Sequence, residues 1–141
     1  MLVERDLDLN DDQWARLTPR TALPCSEAEF LAPTGPAYAN NSSRRLYHRF
    51  HYRRRGVLHL NEETLAVYAK DVSRIGIGLL APRQLFPCDQ VRLELAGLEI
   101  PPLVVRRCRR IQTDCYEIGT AFEDGVLSTE LYKKMIRHTW E

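Results

Sequence analysis

Two short groups of residues in this chain carry side chains suited to binding a guanine nucleotide. Arg45 and Arg49 are spaced Arg-x-x-x-Arg, and residues 71–76 read Asp-Val-Ser-Arg-Ile-Gly. The planar, permanently charged arginine forks can hold phosphate oxygens or the Hoogsteen edge of guanine, and they can stack on the base. A carboxylate such as Asp71 can accept the donors on the opposite guanine edge. The pattern therefore indicates ligand binding rather than catalysis.

The other residues of the second group suit a close approach to a ligand. Ser73 adds a hydroxyl, Arg74 adds a cation within the same turn, and Gly76 lets the backbone turn tightly and approach a ring without a Cβ in the way. Asp71 and Ser73 could also simply close a hairpin as an Asx or Ser turn, which is their commonest role between strands. We expect both roles, because a turn at the end of a strand is a rigid mount for a binding carboxylate. We also expect Asp71 to be exposed at the surface rather than part of the core.

Together the two groups resemble the PilZ family, bacterial receptors for the second messenger cyclic di-GMP. The resemblance runs over residues 43–124 and includes Ile-Gly-Leu-Leu at 77–80 and Tyr-Glu-Ile-Gly-Thr-Ala-Phe at 116–122. It implies that an arm carrying Arg45 and Arg49 wraps over the ligand and holds guanine and phosphate. Cyclic di-GMP is then the ligand, and no cofactor is implied.

The resemblance also suggests roles for arginines outside the pair. Arg44 stands directly before it, and in this family an extra arginine there accompanies an intercalated ligand dimer. In a later predicted strand, alternation sends Arg106 and Cys108 to one face and Arg107 and Arg109 to the other. Arg107 or Arg109 could stack on a base through a cation–π contact, while the alternative is that these arginines only keep the strand soluble.

Composition allows a binding protein of this kind. With 141 residues, the chain suits one domain plus an appendage. Its formal net charge is only +1, but the charge is uneven, since residues 44–55 hold six arginines and two histidines. No apolar run approaches the roughly 20 residues of a membrane span, and the N-terminus lacks the layout of a signal peptide. We therefore expect a cytoplasmic protein.

Residue patterns for metal binding and catalysis are missing from the sequence. Cys25, Cys88, Cys108 and Cys115 form no C-x-x-C pair and have no histidines at zinc spacing. Cys108 and Cys115 could face each other across a hairpin, but we expect reduced thiols in a cytosol. Since no motif pairs a nucleophile with a base, the sequence does not predict an enzyme.

The chain divides into an N-terminal extension and linker, residues 1–40, and a PilZ-like domain, residues 41–141. The extension starts acidic, has a possible short helix from Asp11 to Leu17, and continues into a proline- and glycine-rich run. This composition places the boundary near Asn40.

The second part predicts a mainly β fold, a six-stranded antiparallel β-barrel with a C-terminal α-helix, and the resemblance implies the same fold. Ser128 is the expected helix cap, and Leu131, Met135 and Ile136 share one face that should pack on the barrel. Strands with period-2 alternation and intervening turn residues are predicted at Tyr52–Leu60, Thr64–Val72, Gly76–Leu80, Gln90–Leu95, Leu103–Arg109 and Cys115–Phe122.

Three functional hypotheses follow. The first is a non-catalytic cyclic di-GMP receptor that signals to a protein effector through a changed surface. The second is a small barrel that binds single-stranded nucleic acid, because aromatic residues interleave with arginines over residues 44–55. The near-neutral net charge and the acidic start argue against this partner. The third is a PilZ-like adaptor without ligand, which the intact arginine pair and turn disfavour.

Overall fold

Alternating apolar residues along the chain build a ring-like antiparallel sheet. The computed structural model describes residues 13–17, 19–37 and 48–140. The strands are β1 (Phe50–Leu60), β2 (Glu63–Val72), β3 (Ile77–Ala81), β4 (Gln90–Leu95), β5 (Leu98–Glu99), β6 (Leu103–Gln112) and β7 (Cys115–Phe122). The helices are α1 (Glu27–Leu31) and α2 (Thr129–Trp140), and residues 13–16 are also helical.

The order of the strands closes the sheet on itself. It runs β1-β2-β3-β7-β6-β4-β5, and β1 also pairs with β4, so that six strands form the ring and β5 pairs with β4 alone. The predicted mainly β fold with a C-terminal helix is confirmed. The short β5 was not predicted, because two residues cannot show a period of two. Asn61 and Asp114 lie in tight turns between paired strands, where each takes a positive φ.

One apolar core fills the ring, and α2 packs against it. Leu58, Leu79 and Ile118 are completely buried there, and so is Met135 from α2. Ser128 caps this helix as predicted, since its hydroxyl accepts a hydrogen bond from the Leu131 N–H at 3.3 Å. The helix therefore lies fixed on the sheet, beside the first residues of β1.

A second apolar cluster covers the outer face of β2. Trp14 and Phe30 pack there on Tyr68 and Ala66, and Thr21 N–H donates to the Ala66 carbonyl at 3.1 Å. The continuous buried stretch over residues 65–69 of β2 follows from this, because its alternate side chains face two different cores. Residues 13–17 and 19–37, called the N-terminal segment below, thus cover the sheet. The predicted boundary near Asn40 lies outside the described residues.

An ion pair fastens α1 to the sheet. The Glu27 carboxylate accepts hydrogen bonds from Arg55 Nε at 2.9 Å and Arg55 Nη2 at 3.0 Å, and a further one from the Tyr68 hydroxyl. Burial alone would raise the pKa of Glu27, but the bonds from Arg55 and Tyr68 and the charge of Arg55 outweigh it and lower that pKa. The carboxylate is therefore ionised at neutral pH.

The lowered pKa makes this contact sensitive to acid. A carboxyl group with a depressed pKa in the folded state stabilises the protein above its unfolded pKa, and this contribution is lost as pH falls through the folded pKa. Glu27→Gln is expected to lower the free energy of unfolding at neutral pH, with a difference from wild type that shrinks as pH falls below the ordinary glutamate pKa of 4.5 and vanishes below the lowered folded pKa of Glu27. Urea denaturation at neutral pH and at a pH below the folded pKa of Glu27 measures this difference in the free energy of unfolding. Glu29→Gln on the same helix is the control, and an equal loss at both pH values would contradict the expectation.

Candidate functional site

Asp71 lies near the end of β2 with its carboxylate between two cations. Its Oδ1 is 3.7 Å from Arg49 Nη1, and its Oδ2 is 3.9 Å from Lys70 Nζ. The residue is only 5% exposed, so the expectation that Asp71 is a surface residue is wrong. The reason is its partner Gly78 in β3, where an added Cβ would lie 2.5 Å from Asp71 Oδ1. The missing side chain makes room for the carboxylate.

The turn after β2 is held by its own serine. The Ile75 N–H donates to Ser73 Oγ at 3.2 Å, and the Ser73 N–H donates to the Gly76 carbonyl at 2.9 Å. The Ser turn expected from the sequence is thus formed. A Cβ on Gly76 would lie 1.9 Å from the Thr120 carbonyl oxygen, so the close backbone approach that this glycine permits is toward β7.

A bulge in β6 turns neighbouring arginines toward the same side of the sheet. The pairing of β6 with β7 shifts between Val105 and Arg107, and both Arg106 and Arg107 line one cavity. Strict alternation had predicted Arg106 and Arg107 on opposite faces, which is wrong because the bulge inserts an extra residue. Gly119 leaves room for the Arg107 side chain, whose Nε lies 3.0 Å from the site of an added Cβ.

Two adjoining cavities open at this end of the sheet. One of about 430 Å³ includes Ser73 and Gly76 in its lining, and another of about 510 Å³ includes Arg109 and Glu117. Both volumes lie within the range of ligand pockets, roughly 300–1,000 Å³. Both cavities are lined by Arg49, Asp71, Gly78, Arg107 and Gly119.

Comparison with known proteins agrees with this geometry. The family model of the PilZ domain matches residues 43–138 of the chain's 141 residues. The chain belongs to the PilZ domain family. PilZ domains in general are receptors for cyclic di-GMP. A search of the curated proteins gives no match to this chain.

Most residues predicted for the PilZ ligand site come together at the two cavities. Among the described residues these are Arg49, Asp71, Ser73, Gly76, Arg107 and Arg109. Two of the other predicted arginines, Arg44 and Arg45, lie outside the described residues. On either side of that stretch the chain is paired, since Ala37 N–H donates to the Arg49 carbonyl and His51 N–H to the Gly35 carbonyl, each at 2.9 Å.

Arg74 is engaged elsewhere in the PilZ domain. Its Nε and Nη2 donate to the Leu127 carbonyl at 3.0 and 2.8 Å, and its guanidinium lies 5.4 Å from the ring centroid of Tyr132. These contacts hold the start of α2 to the turn after β2. Neither of the two cavities has Arg74 in its lining, so the structure does not bring it together with Asp71.

Three further residues line the two cavities although the sequence patterns did not predict them as site residues: Lys70, Arg106 and Glu117. Lys70 Nζ donates to Glu117 Oε2 at 2.9 Å. Their proximity results from two strand pairings, β2 with β3 and β3 with β7. The sequence signals were slight: Lys70 directly precedes Asp71, and Glu117 lies next to the Ile-Gly segment of the late motif.

All four cysteines are free thiols, and Cys115 is buried in the second cluster. In the hairpin, Cys108 pairs with Ile118 and Cys115 with Gln112, so the two cysteines are not opposite each other. Among the described residues, no group of three His, Cys, Asp or Glu side chains is arranged to hold a metal ion. None of the described helices has the length and apolar character of a membrane span.

Proposed function

We propose that this PilZ domain is a non-catalytic receptor that binds cyclic di-GMP around Asp71. The observation that carries the proposal is the buried Asp71 carboxylate 3.7 Å from Arg49 at the wall of a cavity. Guanine carries the acceptors O6 and N7 on one edge and the donors N1–H and N2–H on another. A carboxylate and an arginine side by side supply the partners for both edges.

The charges around the cavities support an anionic ligand. Their linings contain five basic side chains, Arg49, Lys70, Arg106, Arg107 and Arg109, and only two carboxylates, Asp71 and Glu117. A cyclic dinucleotide carries a negative charge on each phosphodiester. Arginine forks bind such groups with charge-assisted hydrogen bonds, and the local excess of positive charge also speeds association.

In this proposal the arm that carries Arg45 closes over the ligand. Arg45 and Arg49 hold guanine and phosphate, and Arg44 accompanies a second ligand molecule stacked on the first. Fixing the arm on the ligand costs conformational entropy, which the arginine contacts must exceed. The pairing of Ala37 with Arg49 supports the idea, because it ties both ends of residues 38–48 together beside the cavity.

The signal in this proposal passes to a protein partner in the bacterial cytoplasm. A domain without catalytic chemistry must act through a changed surface. The N-terminal segment is the candidate for that surface, since it joins the arm directly and packs on β2 through Trp14 and Phe30. We infer that a ligand-dependent shift of this segment is what the partner recognises.

A nucleic-acid partner has weaker support. Two arginines of the basic stretch are already engaged within the protein: Arg53 Nη1 donates to the Phe30 carbonyl at 3.3 Å, and Arg55 binds Glu27. Because of these contacts, the two side chains are less available to bind the phosphates of a nucleic acid, as that hypothesis requires. An adaptor without ligand has no specific observation in its favour, because the described part of the cavity retains Arg49 and Asp71.

Isothermal titration calorimetry tests the proposal. Cyclic di-GMP is expected to bind saturably, whereas GTP and a short single-stranded oligonucleotide at the same concentrations are not. A stoichiometry of two ligands per chain would support the role proposed for Arg44. Absence of binding heat with cyclic di-GMP at several temperatures would refute the receptor, and heat with the oligonucleotide alone would favour nucleic acid.

A further inference from the structure

A second carboxylate lines the larger cavity. Glu117 lies on β7, with its Oε2 2.9 Å from Lys70 Nζ and its Oε1 3.3 Å from Arg109 Nη2. The side chain of Glu117 is 32% exposed, and that of Arg109 is 72% exposed. A ligand in this cavity can therefore reach both side chains.

Glu117 presents a charged acceptor to the cavity. Burial alone would raise the pKa of Glu117, but the hydrogen bond and charge of Lys70, together with Arg109, outweigh it and lower that pKa. Each carboxylate oxygen carries two acceptor sites, so one bond to each oxygen leaves capacity for further donors. The ion pairs thus hold the Glu117 carboxylate in place and keep it ionised, and they leave acceptor sites on its oxygens for donors of a ligand.

The pair formed by Glu117 and Arg109 repeats the chemistry of Asp71 and Arg49. Each couples a carboxylate, which can accept N1–H and N2–H of guanine, to an arginine, which can donate to O6 and N7. Adenine lacks the N1–H and N2–H donors, and its exocyclic amine stands where guanine has O6. A cavity wall with both groups therefore discriminates between the two purines.

We infer that Glu117 and Arg109 form a second guanine-selecting pair, which reads a base other than the one bound by Asp71. The inference rests on the proposed function, because it requires a dinucleotide ligand in the two cavities. That base is the second guanine of the same molecule or a guanine of a stacked second molecule. The chemistry of recognition is the same in both cases.

The direction in which Glu117→Gln changes the affinity for the ligand distinguishes this role from a purely electrostatic one. Glu117→Gln removes a negative charge from the cavity wall while keeping the size of the side chain. If Glu117 acts only through its charge, the variant should bind an anionic dinucleotide as tightly as wild type or more tightly. If Glu117 accepts guanine donors, the variant loses charge-assisted bonds and turns an amide N–H toward the base, so that binding weakens.

Calorimetry with two ligands tests the inference. We expect Glu117→Gln to weaken cyclic di-GMP binding about ten-fold. It should weaken binding of the analogue with inosine in place of guanosine by less, because that analogue lacks the 2-amino donors. Glu63→Gln is the matched control, since Glu63 also pairs with an arginine, Arg83 at 2.9 Å, but stands at the opposite end of β2 from Asp71. It should leave both affinities unchanged.

A second variant covers the case in which Glu117→Gln fails to fold, which circular dichroism and thermal melting would show. Arg109→Gln changes an exposed side chain and should weaken cyclic di-GMP more than an analogue with adenosine in place of guanosine. Equal or tighter cyclic di-GMP binding by Glu117→Gln, or equal losses for both ligands with Arg109→Gln, would overturn the inference while the receptor proposal stands. Absence of wild-type binding would overturn both.

Discussion

Asp71→Asn is expected to weaken cyclic di-GMP binding about 100-fold, or by about 3 kcal/mol. The asparagine keeps the shape of the buried side chain but loses its charge. It also turns an N–H group toward the N–H donors of guanine, so that a charge-assisted pair becomes a repulsive contact. Calorimetry on the purified variant measures the loss. Asparagine is preferred to alanine here because the side chain lies between Arg49 and Lys70, and truncation would leave a gap between two cations.

The matched control for this prediction is Asp114→Asn. Asp114 lies in the exposed turn between β6 and β7 with a φ of 59°, which asparagine tolerates as well as aspartate. This variant should bind cyclic di-GMP as wild type does. Wild-type affinity in Asp71→Asn would contradict the proposed role of the carboxylate. Loss of the folded state in Asp71→Asn would mean that Asp71 belongs to a structural network instead.

Trp14→Ala is expected to lower the free energy of unfolding by about 4 kcal/mol. Trp14 is only 5% exposed, its indole N–H donates to the Val67 carbonyl at 2.8 Å, and its ring meets the edge of Tyr68 at 5.2 Å. The Arg55 guanidinium also lies 4.4 Å from the ring centroid. Removing the indole exposes the outer face of β2 and removes the hydrogen bond to the Val67 carbonyl. Urea denaturation followed by circular dichroism measures the change.

Phe86→Ala provides the control for Trp14→Ala, because Phe86 is an aromatic residue that is 56% exposed. It should change the free energy of unfolding by less than about 0.5 kcal/mol.

The shape of the urea transition of Trp14→Ala shows how the N-terminal segment unfolds. A single transition shifted to lower urea concentration would mean that the segment unfolds together with the sheet. If the main transition stays unchanged in Trp14→Ala, the segment is a separable extension, as its composition suggested.

Local patterns were sufficient to predict most elements of the fold. The alternation of Val91, Leu93 and Leu95 with charged residues predicted β4 with the bounds that the structure has. Ser128, followed by apolar residues at helical spacing, predicted the cap and buried face of α2. These signals succeed because a strand has a side-chain period of two, a helix has one of 3.6, and a cap is read from neighbouring residues.

The composition of the binding site was predictable in part. The Arg-x-x-x-Arg and Asp-x-Ser-x-x-Gly motifs predicted binding residues, and four of these residues line one cavity: Arg49, Asp71, Ser73 and Gly76. The burial of Asp71 was not predictable, because it depends on Gly78 in a neighbouring strand. Arg74 belongs to the same motif, yet its guanidinium turns to the Leu127 carbonyl.

The sequence by itself determined the six strands of the ring, the residue where α2 begins, and that a carboxylate and arginines suited to guanine lie near one turn. Only the tertiary structure decided which of these side chains meet. The bulge after Val105 placed Arg106 and Arg107 on the same face of the sheet, and the pairing of β3 with β7 brought Glu117 close to Lys70. The physical reason is the range of each interaction: periods and caps depend on residues a few positions apart, whereas bulges, strand order and the covering of an outer face depend on contacts between segments far apart in the chain.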